Sequence, residues 1–212
     1  MSSTTANLAK QLENFYDGHS ELAVFQDIIG TARLPNSPQE TDSIIVITVD
    51  TETHGERHPP VLQQLYSEPV KPGLLLHQRL LPNTHLVNNA PFHKGDPEKN
   101  RFGGTRFTTH KEAELFMDQW FTCWPLNPAQ PDQGNCPIVI MGHDVSGDVS
   151  GLMDSLHWDP SITGSLLRIL DTWAMARSVR IPSRGYQIGL GTLVSHYNFA
   201  YRGVHTASND AA

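Results

Sequence analysis

The chain has 212 residues, which suits one domain with a full-sized core, and its formal net charge is −7. Because proteins that hold nucleic acid through many phosphate contacts are usually basic, this charge excludes a broad basic binding surface and leaves only local, metal-assisted contacts. The apolar stretches are too short for a membrane span, no secretory signal is expected, and the two cysteines lack a Cys-x-x-Cys spacing, so we expect an intracellular protein with reduced thiols.

Residues 1 to about 30 are predicted to form two helices. The first carries a single apolar stripe at helical spacing, made by Leu8, Leu12, Phe15 and Tyr16. Ser20 is a predicted cap of the second helix, which Gly30 can end. Residues 31–42 contain two prolines and mixed polar residues, and are predicted to be a linker. We therefore expect a helical extension and linker over residues 1–42 and the main domain over residues 43–212.

Residues 44–49 are predicted to form the central strand, and Asp50, Thr51 and Glu52 follow it directly. The run is β-branched almost throughout and has no polar alternation, which is typical of a strand buried on both faces. Because side chains alternate along a strand, Asp50 and Glu52 leave the same face, where two neighbouring anions are costly unless a cation neutralises them. The alternative is a strand that simply ends in a solvated acidic loop.

The remaining elements alternate between strands and helices, which predicts an α/β domain. Residues 53–73 contain four prolines and are predicted to be a loop, residues 74–81 a strand, and residues 83–107 a long surface connection. A capping box of Thr109 and Glu112 predicts a helix that ends by Pro125. Residues 138–141 and 166–170 are predicted strands, each followed by a helix, and a last helix is expected after residue 188.

Polar side chains at these strand ends are candidate ligands, because ligands of open α/β sheets gather beyond the carboxyl ends of strands. Asp148 falls in or just before the first turn of the helix that follows residues 138–141, where the alternative role is a helix N-cap. Two basic groups are candidate phosphate contacts, with a solvated loop as the alternative: Lys94, Lys99, Arg101 and Arg106, and a predicted loop cluster of Arg177, Arg180 and Arg184.

Three short motifs occur in order along the chain: Asp50-Thr-Glu52, His143-Asp-Val-Ser-Gly-Asp148 and His205-Thr-Ala-Ser-Asn-Asp210-Ala. Together they resemble the motifs of the DEDDh 3′–5′ exonucleases of the RNase H-like superfamily, and further stretches look like a fungal branch of these proteins. The second motif departs from the family pattern, with Asp144 where Asn is usual and Gly147 where an aromatic residue is usual. The resemblance covers about residues 43 to 212.

The resemblance implies an α/β fold with an RNase H-like mixed β-sheet flanked by α-helices. It implies a metal-dependent 3′–5′ exonuclease that acts on single-stranded 3′ ends of RNA or DNA with two Mg²⁺ or Mn²⁺ ions. The implied metal ligands are Asp50, Glu52, Asp148 and Asp210. His205 would accept a proton from the attacking water.

Two further expectations concern activity. In the resembling family a helix follows the last aspartate, whereas this sequence stops at Ala212, two residues after Asp210. We therefore expect a C-terminally short domain with weak activity. The alternative to an enzyme is a catalytically weak or inactive RNase H-like domain that binds a protein or RNA partner without hydrolysis.

Overall fold

The structure is a computed structural model that describes residues 3–52, 61–67, 74–81, 101, 105–182, 188–200 and 210, with only the backbone for 3, 4, 52, 61–67, 74–77 and 133. The strands are β1 Ile45–Glu52, β2 Val61–Ser67, β3 Leu74–Leu80, β4 Thr105–Thr108, β5 Ile138–Gly142 and β6 Leu166–Asp171. The α-helices are α1 Ser3–Tyr16, α2 Glu21–Ile28, α3 His110–Thr122, α4 Ser146–Leu156, α5 Thr172–Ser178 and α6 Leu190–His196.

The six strands form one mixed sheet in the order β4-β3-β2-β1-β5-β6. β2 runs antiparallel to its neighbours β1 and β3, while β1, β5 and β6 are parallel to one another and β4 is parallel to β3. Helices flank the sheet on both faces, with α3 and α4 on one face and α1, α2 and α5 on the other. The predicted RNase H-like mixed α/β sheet and the predicted N-terminal helix are therefore confirmed.

β1 is buried on both faces, as its β-branched sequence predicts. Ile45, Ile47 and Val49 pack with α3 and α4 on one face. Val46 packs on the other face with α1, α2 and α5. Because of this alternation, successive side chains at the end of β1 point to opposite faces of the sheet.

The N-terminal helices α1 and α2 pack in the core on the same face of the sheet as Val46, through side chains such as Leu12, Tyr16, Val24 and Ile28. Ser20 caps α2 by accepting a hydrogen bond from the backbone N–H of Ala23, as predicted. After α2 ends at Ile28, Gly30 adopts a positive φ of 73°. The division of the chain at residue 42 stays a prediction.

A fully buried aspartate, Asp27, connects these helices to the linker through hydrogen bonds. Tyr16 Oη and Ser37 Oγ donate hydrogen bonds to Asp27 Oδ2 at 2.9 and 2.8 Å, and the backbone N–H of Leu34 donates to Oδ1 at 2.8 Å. Tyr16 also shares a hydrogen bond with Thr41 at 3.2 Å. Burial is the main cause that raises the pKa of Tyr16 to about 12.

Two strands contradict the sequence predictions. Residues 61–67, predicted to be part of a loop, form β2 between β1 and β3. Their two apolar pairs are separated by Gln63 and Gln64, which leaves neither a two-residue nor a helical period, so pairing with β1 and β3 decides the conformation. β4 interrupts the predicted connection 83–107 at the sheet edge, where only Thr108 of its four residues is buried and no apolar pattern is needed.

The structure confirms one further local prediction and contradicts another. The capping box is confirmed, since Thr109 Oγ1 accepts from the backbone N–H of Glu112 and Glu112 Oε2 accepts from the N–H of Thr109. Arg177, predicted to lie in a loop, belongs to α5. Residues 53–60, 68–73 and 82–100 lie outside the described residues, as do Lys94, Lys99 and Arg184.

Both cysteines are free thiols, with Cys123 exposed and Cys136 buried. Across the described ranges, no helix combines the length and the apolar character needed to cross a membrane.

Candidate active site

The candidate site lies where β1 continues beyond the end of its neighbour β5. The parallel pairing of the two strands ends at Thr48 and Met141, whereas β1 continues to Glu52 with β2 on its other side. Within the described chain, the last residues of β1 therefore have a strand neighbour on one side only. Backbone N–H groups on the open side need other partners.

A close turn after β5 brings the next helix to this open side. A Cβ at Gly142 would lie 2.9 Å from the backbone oxygen of Val49 and 2.8 Å from Val145 Cγ2, so only glycine fits without movement. Asp144 then adopts a positive φ of 57°, a conformation that Asn and Asp tolerate best, and α4 begins at Ser146. The first turn of α4 therefore lies next to β1.

Asp148, in this first turn, joins α4 to β1. Its Oδ1 accepts hydrogen bonds from the backbone N–H of Thr51 at 2.8 Å and from Thr51 Oγ1 at 2.7 Å. The alternative role as N-cap is wrong, because Val145 occupies the cap position and no side chain caps the helix there. The second motif is thus bound directly to the residue between the two acids of the first motif.

The surroundings of Asp148 disfavour a negative charge. Its side chain is only 8% exposed. The pKa of Asp148 is raised to about 6, mainly by burial and also by the carboxylates of Asp144 and Asp171, while the hydrogen bonds from Thr51 act in the opposite direction. A cation beside Asp148 would relieve both the burial and the repulsion. The donor type also fits, because Mg²⁺-type ions prefer carboxylate oxygens.

The two neighbouring carboxylates have roles in the local fold. Asp171 caps α5 by accepting from the backbone N–H of Trp173, and it also accepts from the N–H of Asp144 at 2.9 Å. Gly147, the other departure from the family pattern, borders open space, since a Cβ there would meet no atom within 4 Å. An aromatic residue at that position is therefore not required to fill the core of this chain.

The acids of the first motif both belong to β1. Asp50 is half-buried, its Oδ2 atom is buried, and the residue pairs with Gln63 of β2. Glu52 is the last residue of the strand and pairs with Val61, but its side chain lies outside the description. Strand alternation points Asp50 to the face of Thr48 and Thr51 to the opposite face.

Asp210 is half-buried and borders a cavity of about 460 Å³. The cavity is mainly apolar and is also lined by Thr48, His143, Thr172, Met175, Leu193 and Tyr197. Because Thr48 and Asp50 lie on the same face of β1, Asp210 is placed on the side of the sheet toward which Asp50 points. His205 lies outside the described residues.

His143, the first residue of the second motif, fixes one wall of this cavity. Its Nε2 donates to the backbone oxygen of Ile188 at 2.7 Å, and its Nδ1 shares a hydrogen bond of 2.9 Å with Thr172 Oγ1. Thr172 Oγ1 in turn lies 3.0 Å from the backbone oxygen of Gly142, to which it can donate. These bonds connect the end of β5, the start of α5 and the segment before α6.

The complete ligand set stays a prediction. Among the side chains that the structure describes, no three His, Cys, Asp or Glu groups lie close enough together to hold one metal ion. The side chain of Glu52 and the whole of His205 are not part of that set.

Sequence reasoning missed Thr51 and Gly142. Strand alternation could have identified Thr51 as a residue with a separate role, because it places this side chain on the face opposite to Asp50 and Glu52. The need for glycine at position 142 depends on its distance from Val49, which the sequence alone does not specify.

A family model described as DNA polymerase III subunit epsilon-like, C-terminal domain (DEDDh_C) matches residues 75–212. This range contains Asp148, His205 and Asp210, whereas Asp50 and Glu52 precede it. A comparison with curated proteins returned no match. Because the family model covers well over half of the sequence, the chain belongs to the DEDDh exonuclease family.

Proposed function

We propose that the chain is a metal-dependent exonuclease that removes nucleotides from the 3′ end of single-stranded RNA or DNA. The observation that carries this proposal is the contact of Asp148 with Thr51, which joins the second motif to the first at the open end of β1. Membership of the DEDDh family supports the same reaction class. We also propose that the protein is intracellular and that it belongs to a fungal branch of this family.

Four carboxylates would hold two Mg²⁺ or Mn²⁺ ions: Asp50, Glu52, Asp148 and Asp210. When bound, the ions would stabilise the negative charge that develops on the attacking and leaving oxygens of a phosphodiester. They would also reverse the local sign of charge, which lets a chain with a net charge of −7 accept a polyanionic substrate. The burial of Asp148 among other carboxylates supports its role as a ligand.

His205 would accept a proton from the water that attacks phosphorus, which suits an imidazole near neutral pH. A bond forms between the water oxygen and phosphorus, and the bond between phosphorus and the 3′-oxygen of the preceding nucleotide breaks. The leaving 3′-oxygen takes a proton from solvent, and the released product is a nucleoside 5′-monophosphate.

The test incubates the full chain with 5′-labelled single-stranded RNA and DNA in the presence of Mn²⁺, with and without a chelator. We expect products shortened from the 3′ end, no products with the chelator, and a higher melting temperature with Mn²⁺. Asp50→Asn should abolish both effects. Asp144→Asn is the matched control and should keep both, because Asn tolerates the positive φ at this exposed position.

A second variant separates metal binding from proton transfer. His205→Ala should lower turnover by about 10²- to 10⁴-fold, since that is the usual contribution of a general base, and should keep the Mn²⁺-dependent rise in melting temperature. Stabilisation by Mn²⁺ without any shortening of either substrate would support the alternative function, binding without hydrolysis. The absence of both effects in the unaltered chain would contradict the proposed function.

A further inference from the structure

Thr51 occupies one oxygen of the Asp148 carboxylate. Both hydrogen bonds described for Asp148 end on Oδ1, at 2.8 Å from the Thr51 backbone nitrogen and at 2.7 Å from Thr51 Oγ1. A carboxylate oxygen offers about two lone-pair sites, so the two donors fill the capacity of Oδ1. Across the described residues, Oδ2 receives no such donor.

The place of Thr51 in the fold makes this double contact possible. Thr51 lies beyond Thr48, the last residue of β1 that pairs with β5, so its N–H is free to reach α4. Its side chain leaves the same face of β1 as Val49, which packs in the core cluster that includes α4. A β-branched side chain has few rotamers, so the hydroxyl is held toward Asp148 with little loss of conformational freedom.

We propose that Thr51 is a positioning residue that restricts Asp148 to binding a cation through the single oxygen Oδ2, and thereby favours Mg²⁺ and Mn²⁺ over Ca²⁺. This inference rests on the proposed function, in which Asp148 is a metal ligand. It adds a residue that touches neither metal nor substrate, and it assigns to that residue an influence on the choice of metal.

The difference between the cations follows from their coordination. Mg²⁺ requires near-octahedral geometry at about 2.0–2.1 Å and is usually held by single carboxylate oxygens and water. Ca²⁺ takes about six to eight oxygens and often binds both oxygens of one carboxylate. With Oδ1 occupied by Thr51, the two-oxygen mode is blocked at Asp148. A contact that served only to satisfy the Thr51 N–H would have no such effect on the choice of cation.

The test compares Thr51→Val, which has a similar shape without the hydroxyl, with Thr51→Ser, which keeps the hydroxyl. Dissociation constants for Mn²⁺ and Ca²⁺ are measured by calorimetry on the full chain, together with the melting temperature without metal. Loss of a group that orients a ligand typically weakens metal binding by about 10- to 100-fold. Thr51→Val removes one of the two donors to Oδ1, so we expect it to bind Mn²⁺ about tenfold more weakly and Ca²⁺ at least as tightly as the unaltered chain, and Thr51→Ser to restore the preference.

The same substitution is also made in a chain that lacks the Asp148 carboxylate, which tests whether the effect of Thr51 acts through Asp148. In a chain that already carries Asp148→Asn, Thr51→Val should cause no further change in the preference for Mn²⁺. The proposal is overturned if Thr51→Val keeps the normal preference, if it weakens both cations equally, or if the change persists in the Asp148→Asn background.

Two controls keep the outcomes distinct. If Thr51→Val does not fold, Thr51→Ala replaces it, and if neither folds while Thr51→Ser does, the hydroxyl serves the fold and the positioning role is rejected. Failure of the unaltered chain to bind Mn²⁺ would instead contradict the proposed function itself. Normal Mn²⁺ binding with an unchanged preference in Thr51→Val would contradict only the role of Thr51.

Discussion

Asp27 in the N-terminal region and Asp148 at the end of β1 are both buried, but their surroundings differ. Asp27 is fully buried and accepts hydrogen bonds at both of its oxygens, with the guanidinium of Arg33 at 3.9 Å from Oδ1. Asp148 accepts hydrogen bonds at Oδ1 alone, and its described charged neighbours are the carboxylates of Asp144 and Asp171.

We interpret this difference as that between a carboxylate that serves the fold and one that, in the proposed function, binds a metal ion. The donors around Asp27 come from α1 and the linker, so this side chain connects the N-terminal elements without any ligand. At Asp148 the hydrogen bonds from Thr51 do not offset the cost of burying a negative charge, because the pKa of this group remains raised. A buried acid with perturbed acidity in such a place is a candidate for function.

The largest expected effect comes from the same substitution at the two positions. Asp27→Asn should lower the free energy of unfolding by about 2–4 kcal/mol, because the amide nitrogen cannot accept and leaves a buried donor without a partner. Asp148→Asn should keep the stability of the metal-free chain, since its amide oxygen can still accept from Thr51, but should lose most of the stabilisation by Mn²⁺, with weaker binding left to the other proposed ligands. Urea denaturation with and without Mn²⁺ measures both effects. Equal destabilisation by the two variants would remove the distinction.

A smaller effect is expected at Gly142, on which the approach of α4 to β1 depends. Gly142→Ala should lower the free energy of unfolding by about 1–3 kcal/mol, because the added Cβ would lie 2.9 Å from the backbone oxygen of Val49. It should also weaken the Mn²⁺ effect by moving Asp148 away from Thr51. Gly147→Ala is the matched control in open space, and should be neutral or slightly stabilising. The same denaturation series tests both, and equal behaviour of the two variants would contradict the close approach.

The smallest effect at neutral pH is expected for Tyr16→Phe, which removes one donor to Asp27 and should cost about 1 kcal/mol. In the folded chain the pKa of Tyr16 rises from 10.0 to about 12. The stability that this shift contributes is therefore fully present below pH 10 and is lost as the pH rises toward 12. Tyr16→Phe should lack this alkaline decline, while Tyr197→Phe, at an exposed position, should behave as the unaltered chain. Denaturation midpoints between pH 9 and 12 measure the difference, and a decline that persists in Tyr16→Phe would assign it to other groups.

The parts of the fold that were predicted correctly have local sequence signals. β1, β5 and β6 consist largely of aliphatic residues because they lie in the interior of the sheet or pack against helices, and Thr109 with Glu112 marks the start of α3. β2 and β4 lack such signals. The conformation of β2 comes from hydrogen bonds to strands on both sides, and that of the exposed β4 from pairing with β3 alone.

The sequence predicts the candidate site as a set of acids, which stays a prediction, and does not predict their arrangement. Motif spacing identifies Asp50, Glu52 and Asp148 because carboxylates are the donors that the chemistry needs. The role of Thr51 depends on how far β1 extends past β5, which is a property of strand register. A single strand's sequence does not contain that information.

The position of β1 also has a consequence for how the chain folds. Its antiparallel neighbour β2 follows within a short stretch of sequence, but its parallel neighbour β5 comes about ninety residues later, with Ile45 paired to Ile138. Contacts between distant parts of a chain form slowly, because the entropy of closing the loop must be lost first. During synthesis, β1, β2 and β3 can meet well before β5 and α4 leave the ribosome. We therefore expect Thr51 and Asp148 to meet late in folding, and a nascent chain that ends before β5 to expose the first pair of acids without the second motif.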